Sequence, residues 1–146
     1  MTDRLNLKKV ISQAKVKLDP SIISSFFPFT RKTGIVFFLH KEQFCGKLDF
    51  SQHHIGNPIT NVLHGGIVAA LLQNTAQFHI VWEKNIESIP EIIDISINFL
   101  RIGKGVDTYA RASIIKYGKR VANVEVIAWN DDKFSPIANA SINFLV

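Results

Sequence analysis

His64-Gly65-Gly66-Ile67-Val68-Ala69-Ala70-Leu71-Leu72 is the stretch on which the fold turns. Two glycines followed at once by an apolar run read as a loop passing into a helix that begins at Gly65. Glycine leaves the N–H groups of a first turn unscreened by side chains, and those groups have no partner inside the helix. Together with the positive end of the helix dipole they can hold a developing oxyanion. The same letters also read as a tight turn in which glycine serves backbone geometry alone. The preceding segment, Gly56-Asn57-Pro58-Ile59-Thr60-Asn61-Val62-Leu63, is turn-rich and can place side-chain amides beside the same spot.

Working forward, residues 65–83 read as one central helix. Its first half is apolar nearly all round, as in a helix buried on several sides. Gly66, Ala70, Gln73 and Gln77 fall at i, i+4, i+7 and i+11 and give one small or polar face, shaped for close approach by another backbone or a ligand. After Pro90 the period changes to two. Ile93, Ile95, Ile97 and Phe99 alternate with polar residues, as do Ala110, Ala112 and Ile114, then Ala122, Val124, Val126 and Ala128, then Ala138, Ala140, Ile142 and Phe144. Turn signals at Gly103-Lys104-Gly105, Tyr117-Gly118-Lys119 and Asn130-Asp131-Asp132-Lys133 separate them. Four long strands with short connections predict an antiparallel meander.

Working backward, residues 35–39 and 44–50 read as two strands joined by a turn around Lys41-Glu42. Leu5, Leu7, Val10, Ile11, Ala14, Val16 and Leu18 among lysines suit an amphipathic helix over 5–17. Asp19-Pro20 reads as a helix cap followed by proline at the first helical position, so a short second helix is predicted over 20–27. One apolar sheet face and one long apolar helix to cover it make an α+β layer.

The chain has 146 residues, 47% hydrophobic and 20% charged, which suits a single globular domain with a sizeable core. Gln73, Asn74 and Gln77 interrupt the longest apolar run, so no membrane span is expected. The first residues lack a secretory apolar region, and a cytoplasmic protein is the expectation. Cys45 is the only cysteine, and the five histidines show no H-E-x-x-H spacing, so neither a disulfide nor a metal is expected. The formal charge of +5 favours anionic partners, either nucleic acid or a small ligand with several phosphates. The basic residues are scattered, without zinc-finger spacing or a long basic run, and nucleic acid is not expected.

The HGG element and its following helix resemble the signature of hotdog-fold acyl-CoA thioesterases, in particular the phenylacetate-pathway type. The resemblance runs from about residue 34 to the end. It includes Asn98-Phe99-Leu100-Arg101-Ile102-Gly103-Lys104-Gly105, where relatives usually carry a Leu-Arg-Pro-like turn, and the Gly118-Lys119-Arg120 turn. It implies a hotdog fold, an antiparallel sheet curved round one long helix. One domain would span 1–146, with 1–30 as an N-terminal helical extension.

The resemblance also implies roles. The Gly65 N–H would polarise the thioester carbonyl, with Gly66 beside it in the substrate seat. His64 would orient the loop through a hydrogen bond. Asn57 matches the asparagine that orients the nucleophile or water, and it also reads as a turn-former before Pro58. Gln73 stands where relatives carry a catalytic Asp or Glu, nine residues after the histidine. An amide cannot ionise, so it serves neither as general base nor as nucleophile. Ile92 stands where relatives often place Ser or Thr. Glu83, Asp94, His79 and His54 are conceivable replacement bases. Arg101, Lys119 and Arg120 could grip the phosphates of coenzyme A or be solvated surface. Phe78, Trp82 and the aromatics at 26–29 could line an acyl tunnel or fill the core.

The implied reaction is attack of water on an acyl-CoA thioester, releasing acid and thiol, with coenzyme A present only as part of the substrate. An acyl-CoA-binding or regulatory protein of the same fold is the principal alternative, because of Gln73. Hydratase chemistry lacks its His–carboxylate pair, and a nucleic-acid binder rests on net charge alone. Gly65 and Gln73 lie about 12 Å apart along one helix. Groups that touch one thioester must come within about 3 Å of it. If both line one site they belong to different subunits, which predicts a homodimer or homotetramer with sites at the subunit interface.

Overall fold

A computed structural model describes residues 2–86 and 88–146. Helix α1 (Thr2–Lys17) buries Leu7, Ile11 and Ala14, but Leu5 and Val16 stand in solvent and Leu18, also exposed, lies beyond its end, so the apolar face is narrower than the pattern predicts. Asp19 accepts the Ser21 N–H at 3.0 Å and the Ser21 hydroxyl at 2.6 Å, and α2 runs Ser21–Phe26. Phe27 is extended, and Pro28 restarts the chain as a third helix, α3 (Pro28–Thr33), closed by Gly34 at φ 78°. The helical extension therefore ends at Thr33, beyond residue 30. Six residues are too few for a readable apolar period. The proline at its start and the left-handed glycine after its end were the available signals.

Strands β1 (Ile35–His40) and β2 (Gln43–Leu48) form a hairpin over Lys41 and Glu42, both at positive φ (49° and 64°). A short pair, β3 (Ile55–Asn57) with β4 (Val62–Leu63), delivers the chain to α4 (Gly65–Lys84). Then come β5 (Glu91–Phe99), β6 (Thr108–Tyr117), β7 (Val121–Trp129) and β8 (Ala138–Leu145). The main sheet is antiparallel with the order β1-β2-β6-β7-β8-β5.

Strands β6, β7 and β8 form the expected meander, but β5 does not continue it. It pairs with β8 and becomes an edge, so residues 100–107 cross over the end of the sheet. Gly103-Lys104-Gly105 is part of this crossover and not a tight turn. Backbone bonds hold it: the Leu100 N–H donates to the Ile137 carbonyl at 2.8 Å, the Leu63 N–H to that of Gly103 at 2.9 Å, and the Gly105 N–H to that of Asn61 at 2.9 Å. Connection length limits strand direction but does not choose the neighbour, and these tertiary bonds do.

A bulge at Ile93 takes the register from Ile92↔Phe144 to Asp94↔Asn143. Ile92 thereby packs against the core while Ile93 stands 53% exposed, against the simple alternation. Along β6 to β8 the inner face is rich in alanine, with Ala110, Ala112, Ala122, Ala128, Ala138 and Ala140 all buried. Such small side chains let the sheet curl closely on α4, whose Val68, Leu71, Leu72, Ile80 and Val81 complete the core.

Candidate active site

His64 is extended (φ −64°, ψ 131°) and caps α4, its Nδ1 accepting the Gly66 N–H at 2.9 Å. A ring nitrogen that accepts carries no proton, so a neutral His64 is protonated on Nε2. The His64 N–H donates to the His54 carbonyl at 2.8 Å, and the His64 carbonyl accepts the Ile67 N–H at 3.0 Å. The Gly65 N–H meets no acceptor among the described residues and is the free donor of the first turn. A Cβ at Gly65 would lie 3.4 Å from Cζ of Phe99, so this ring bounds the space beside the donor. Phe99 is 58% exposed. Its approach to Gly65 has no signature in the sequence, because the crossover creates it.

Asn57 is exposed, and its Oδ1 accepts the Ile59 N–H at 3.0 Å, the turn-forming bond, which leaves the side-chain NH₂ without a partner among the described residues. Gln73 is partly exposed two turns along α4 from Gly65, without a hydrogen-bond partner among the described residues. Gly66 is exposed at one end of the same stretch of helix, and Ala69 and Ala70 on it are partly exposed. Gln77 is committed: its Nε2 donates to the Pro90 carbonyl at 2.7 Å and anchors the chain entering β5.

None of the four conceivable bases stands with Gly65. His54 is buried with both ring nitrogens engaged, Nδ1 accepting the Ser51 N–H at 3.1 Å and Nε2 donating to the Thr33 carbonyl at 2.7 Å. Both Asp94 carboxylate oxygens accept from Asn143 Nδ2 at 3.1 Å, on the sheet face turned away from α4. His79 lies about 21 Å along α4 from Gly65, and Glu83 further still.

Arg101 donates from Nη1 to the Pro136 carbonyl at 3.0 Å and pins the crossover to the β7–β8 loop, at the sheet end that holds the α4 N-terminus. Lys119 and Arg120 are exposed in the β6–β7 hairpin at the opposite end. Within one protomer about 30 Å of strand separates them from Arg101. Phe78 is a core residue, its ring 4.9 Å from that of Phe27 and 5.1 Å from that of Phe37, whereas Phe26 and Phe29 are exposed. Trp82 lies against Phe44 at 5.9 Å.

An antiparallel sheet curled on one long helix, with a bare N–H at the start of that helix, defines the hotdog class of folds, and a donor so placed suits acyl transfer at a carbonyl. The model of the acyl-CoA thioesterase N-terminal domain matches residues 54–145. The chain belongs to this family of acyl-CoA thioester hydrolases. It is 27% identical to the medium/long-chain acyl-CoA thioesterase YigI of Salmonella typhimurium, over 92% of this chain and 96% of that protein. It is 28% identical to a Chromobacterium violaceum protein of known crystal structure, with a TM-score of 0.76 over 93% of this chain and 95% of that one. A phenylacetic acid degradation-related protein of Ralstonia eutropha shares the fold at 18% identity, with a TM-score of 0.74 over 94% of this chain and 99% of that one. Among the described residues, no helix is long and apolar enough to cross a membrane.

Proposed function

We propose that this chain hydrolyses acyl-CoA at a site shared by two of its copies, with the Gly65 N–H polarising the thioester carbonyl. The observation that carries this reading is the division of labour at the helix start: His64 consumes the Gly66 N–H, and the Gly65 N–H is left bare. Water attacks the carbonyl carbon, the negative charge passes to the carbonyl oxygen against Gly65, and collapse expels the coenzyme A thiolate, which takes up the proton the water gives up as the acid is released.

Two features support the second copy. Strand β5 is a nine-residue edge that exposes Ile93, Ile95 and Phe99, and an apolar edge of that length calls for a covering partner. The α4 face at Gly66, Ala70 and Gln73 is partly exposed, and its start at Gly65 lies against Phe99 of β5. A two-fold axis perpendicular to β5 at this edge sets the two copies antiparallel and so brings Gln73 of the partner subunit toward Gly65. It also sets the partner's Arg120 at the same end as Arg101, where the two could serve one coenzyme A. Gln73 can accept a hydrogen bond from the attacking water and aim it, but cannot take its proton, so turnover is slow. The apolar strip of Ile95 and Phe99 suits a medium or long acyl chain. A cytoplasmic setting belongs to the same reading.

The second reading, an acyl-CoA-binding protein without useful hydrolysis, is favoured by Gln73 together with Ile92, which packs on the core where a hydroxyl is usual in relatives. Thiol release from acyl-CoAs of graded chain length, with sedimentation of the same sample, tests both. Slow release by a dimer supports the proposal. Tight binding without release supports the second reading, and a monomer that neither binds nor hydrolyses refutes both.

A further inference from the structure

The formal charge of +5 is not spread over the chain. Residues 1–33 hold seven of the 17 lysines and arginines but two of the 12 acids, and residues 34–146 hold ten of each. The sheet and its central helix are therefore neutral as a unit, and the whole excess sits on the helical extension. Arg4, Lys8, Lys9, Lys17, Arg31 and Lys32 are all exposed there.

Helix α1 divides its faces. Leu7, Ile11 and Ala14, at i, i+4 and i+7, are buried. Leu5, Lys9, Ser12 and Val16, at i, i+4, i+7 and i+11, run along the opposite side. All four are exposed, Val16 by 82%. An aliphatic side chain thus stands at each end of an outward strip about 16 Å long, with a lysine between them. The last turns of α1 are seated at the far end of α4 from Gly65. There the Lys15 ammonium donates to Asn85 Oδ1, and Ile11, Lys15, Asn85 and Ile86 share one groove. Helix α4 is about 30 Å long, so the outward strip is remote from the Gly65 donor.

We propose that the outer face of α1 docks on an anionic lipid surface, with Lys9 and the neighbouring cations against the headgroups and Leu5 and Val16 reaching the acyl boundary. Positive charge alone suits any polyanion, and the aliphatic pair decides between them. A nucleic acid would be held by the cations and would leave Leu5 and Val16 in water. Apolar side chains set among lysines are what an interfacial helix presents to lipid. The inner face of α1 stays on the core, so the protein lies on the surface and does not span it. The neutral remainder of the chain leaves the extension to orient the approach. This contact does not depend on hydrolysis at Gly65.

Co-sedimentation of the full chain with lipid vesicles tests this. Binding is expected to mixed phosphatidylglycerol and phosphatidylcholine vesicles, weaker at high salt, and little to phosphatidylcholine alone. One basic side chain near an anionic surface is worth about fivefold in affinity, so Lys9→Glu, which reverses a charge, weakens binding about tenfold or more. If Lys9→Glu does not fold, Lys9→Gln serves, with a loss of about fivefold. Leu5→Ser combined with Val16→Ser keeps every charge and still weakens binding several-fold. Gly65→Pro binds vesicles as the parent chain does, which separates this surface from the thioester site. Several results would overturn the proposal: no binding to the anionic vesicles, equal binding to neutral ones, or undiminished binding by the folded Lys9 variant or the folded serine variant. Retention on duplex RNA without retention on vesicles would overturn it as well.

Discussion

His64 Nδ1 holds the Gly66 N–H at 2.9 Å, and this bond depends on position 66 having no side chain. A Cβ at Gly66 would stand 2.9 Å from Nδ1 and 3.2 Å from Cε1 of the same ring. Gly66→Ala therefore turns the imidazole off the helix end and removes the cap, at about 1 kcal/mol. His64→Ala should lose a similar amount, and the double variant little more, since both remove one bond. Denaturant midpoints of the three variants check this, and full additivity would show that the two residues act separately.

Gln73 determines whether the site has a base. With Gln73→Asp, hydrolysis rises, and general-base assistance is typically worth 10²–10⁴-fold. Ile92→Thr in the same chain restores the second polar role and raises the gain further. Steady-state thiol release at several pH values measures it. A folded dimer with no gain at any pH makes position 73 structural and advances the binding-protein reading.

Gly46 is fixed by packing. A Cβ there would fall 2.1 Å from Thr75 Oγ1 and 3.2 Å from Thr75 Cβ, with Thr75 fully buried. Overpacking of this kind costs about 1–3 kcal/mol, so Gly46→Ala should be destabilised by that amount. Thr75→Ala in the same chain removes the clashing oxygen and recovers part of the loss. Thermal or chemical unfolding of the single and double variants tests the contact.

Burial lowers the His79 pKa below the usual 6.5, against the opposing pull of Glu83. The unfolded chain thus binds a proton that the folded chain resists. The stability tied to neutral His79 is complete above pH 6.5 and is lost as the pH falls below it. Unfolding free energy measured between pH 7.5 and 5 should fall less steeply in His79→Leu than in the parent chain. Equal slopes would mean that His79 is solvated in the folded state.

Much of this was legible in local pattern. The period-two runs on β6, β7 and β8 matched their buried faces, and the HGG-to-apolar junction marked the start of α4 to the residue. What escaped depends on residues far apart in the chain. The pairing of β5 with β8 is held by bonds from Leu100 and Arg101 to Ile137, and no local window contains both ends of such a bond. The bulge that turns Ile92 inward breaks an alternation that looked regular. Helix α3 is shorter than two turns, and the ring of Phe99 reaches Gly65 only because the crossover folds back.

The central claim is that the Gly65 N–H holds the thioester oxygen, and Gly65→Pro tests it most directly. Gly65 is the first residue of α4, where proline is well tolerated, and His64 already has the extended backbone that a following proline requires (ψ 131°). The substitution thus removes the N–H while the helix is kept. Thiol release from a medium-chain acyl-CoA should fall about 10²–10³-fold in a variant that keeps its unfolding midpoint and its mass in solution. An unchanged rate in that folded variant would contradict the account.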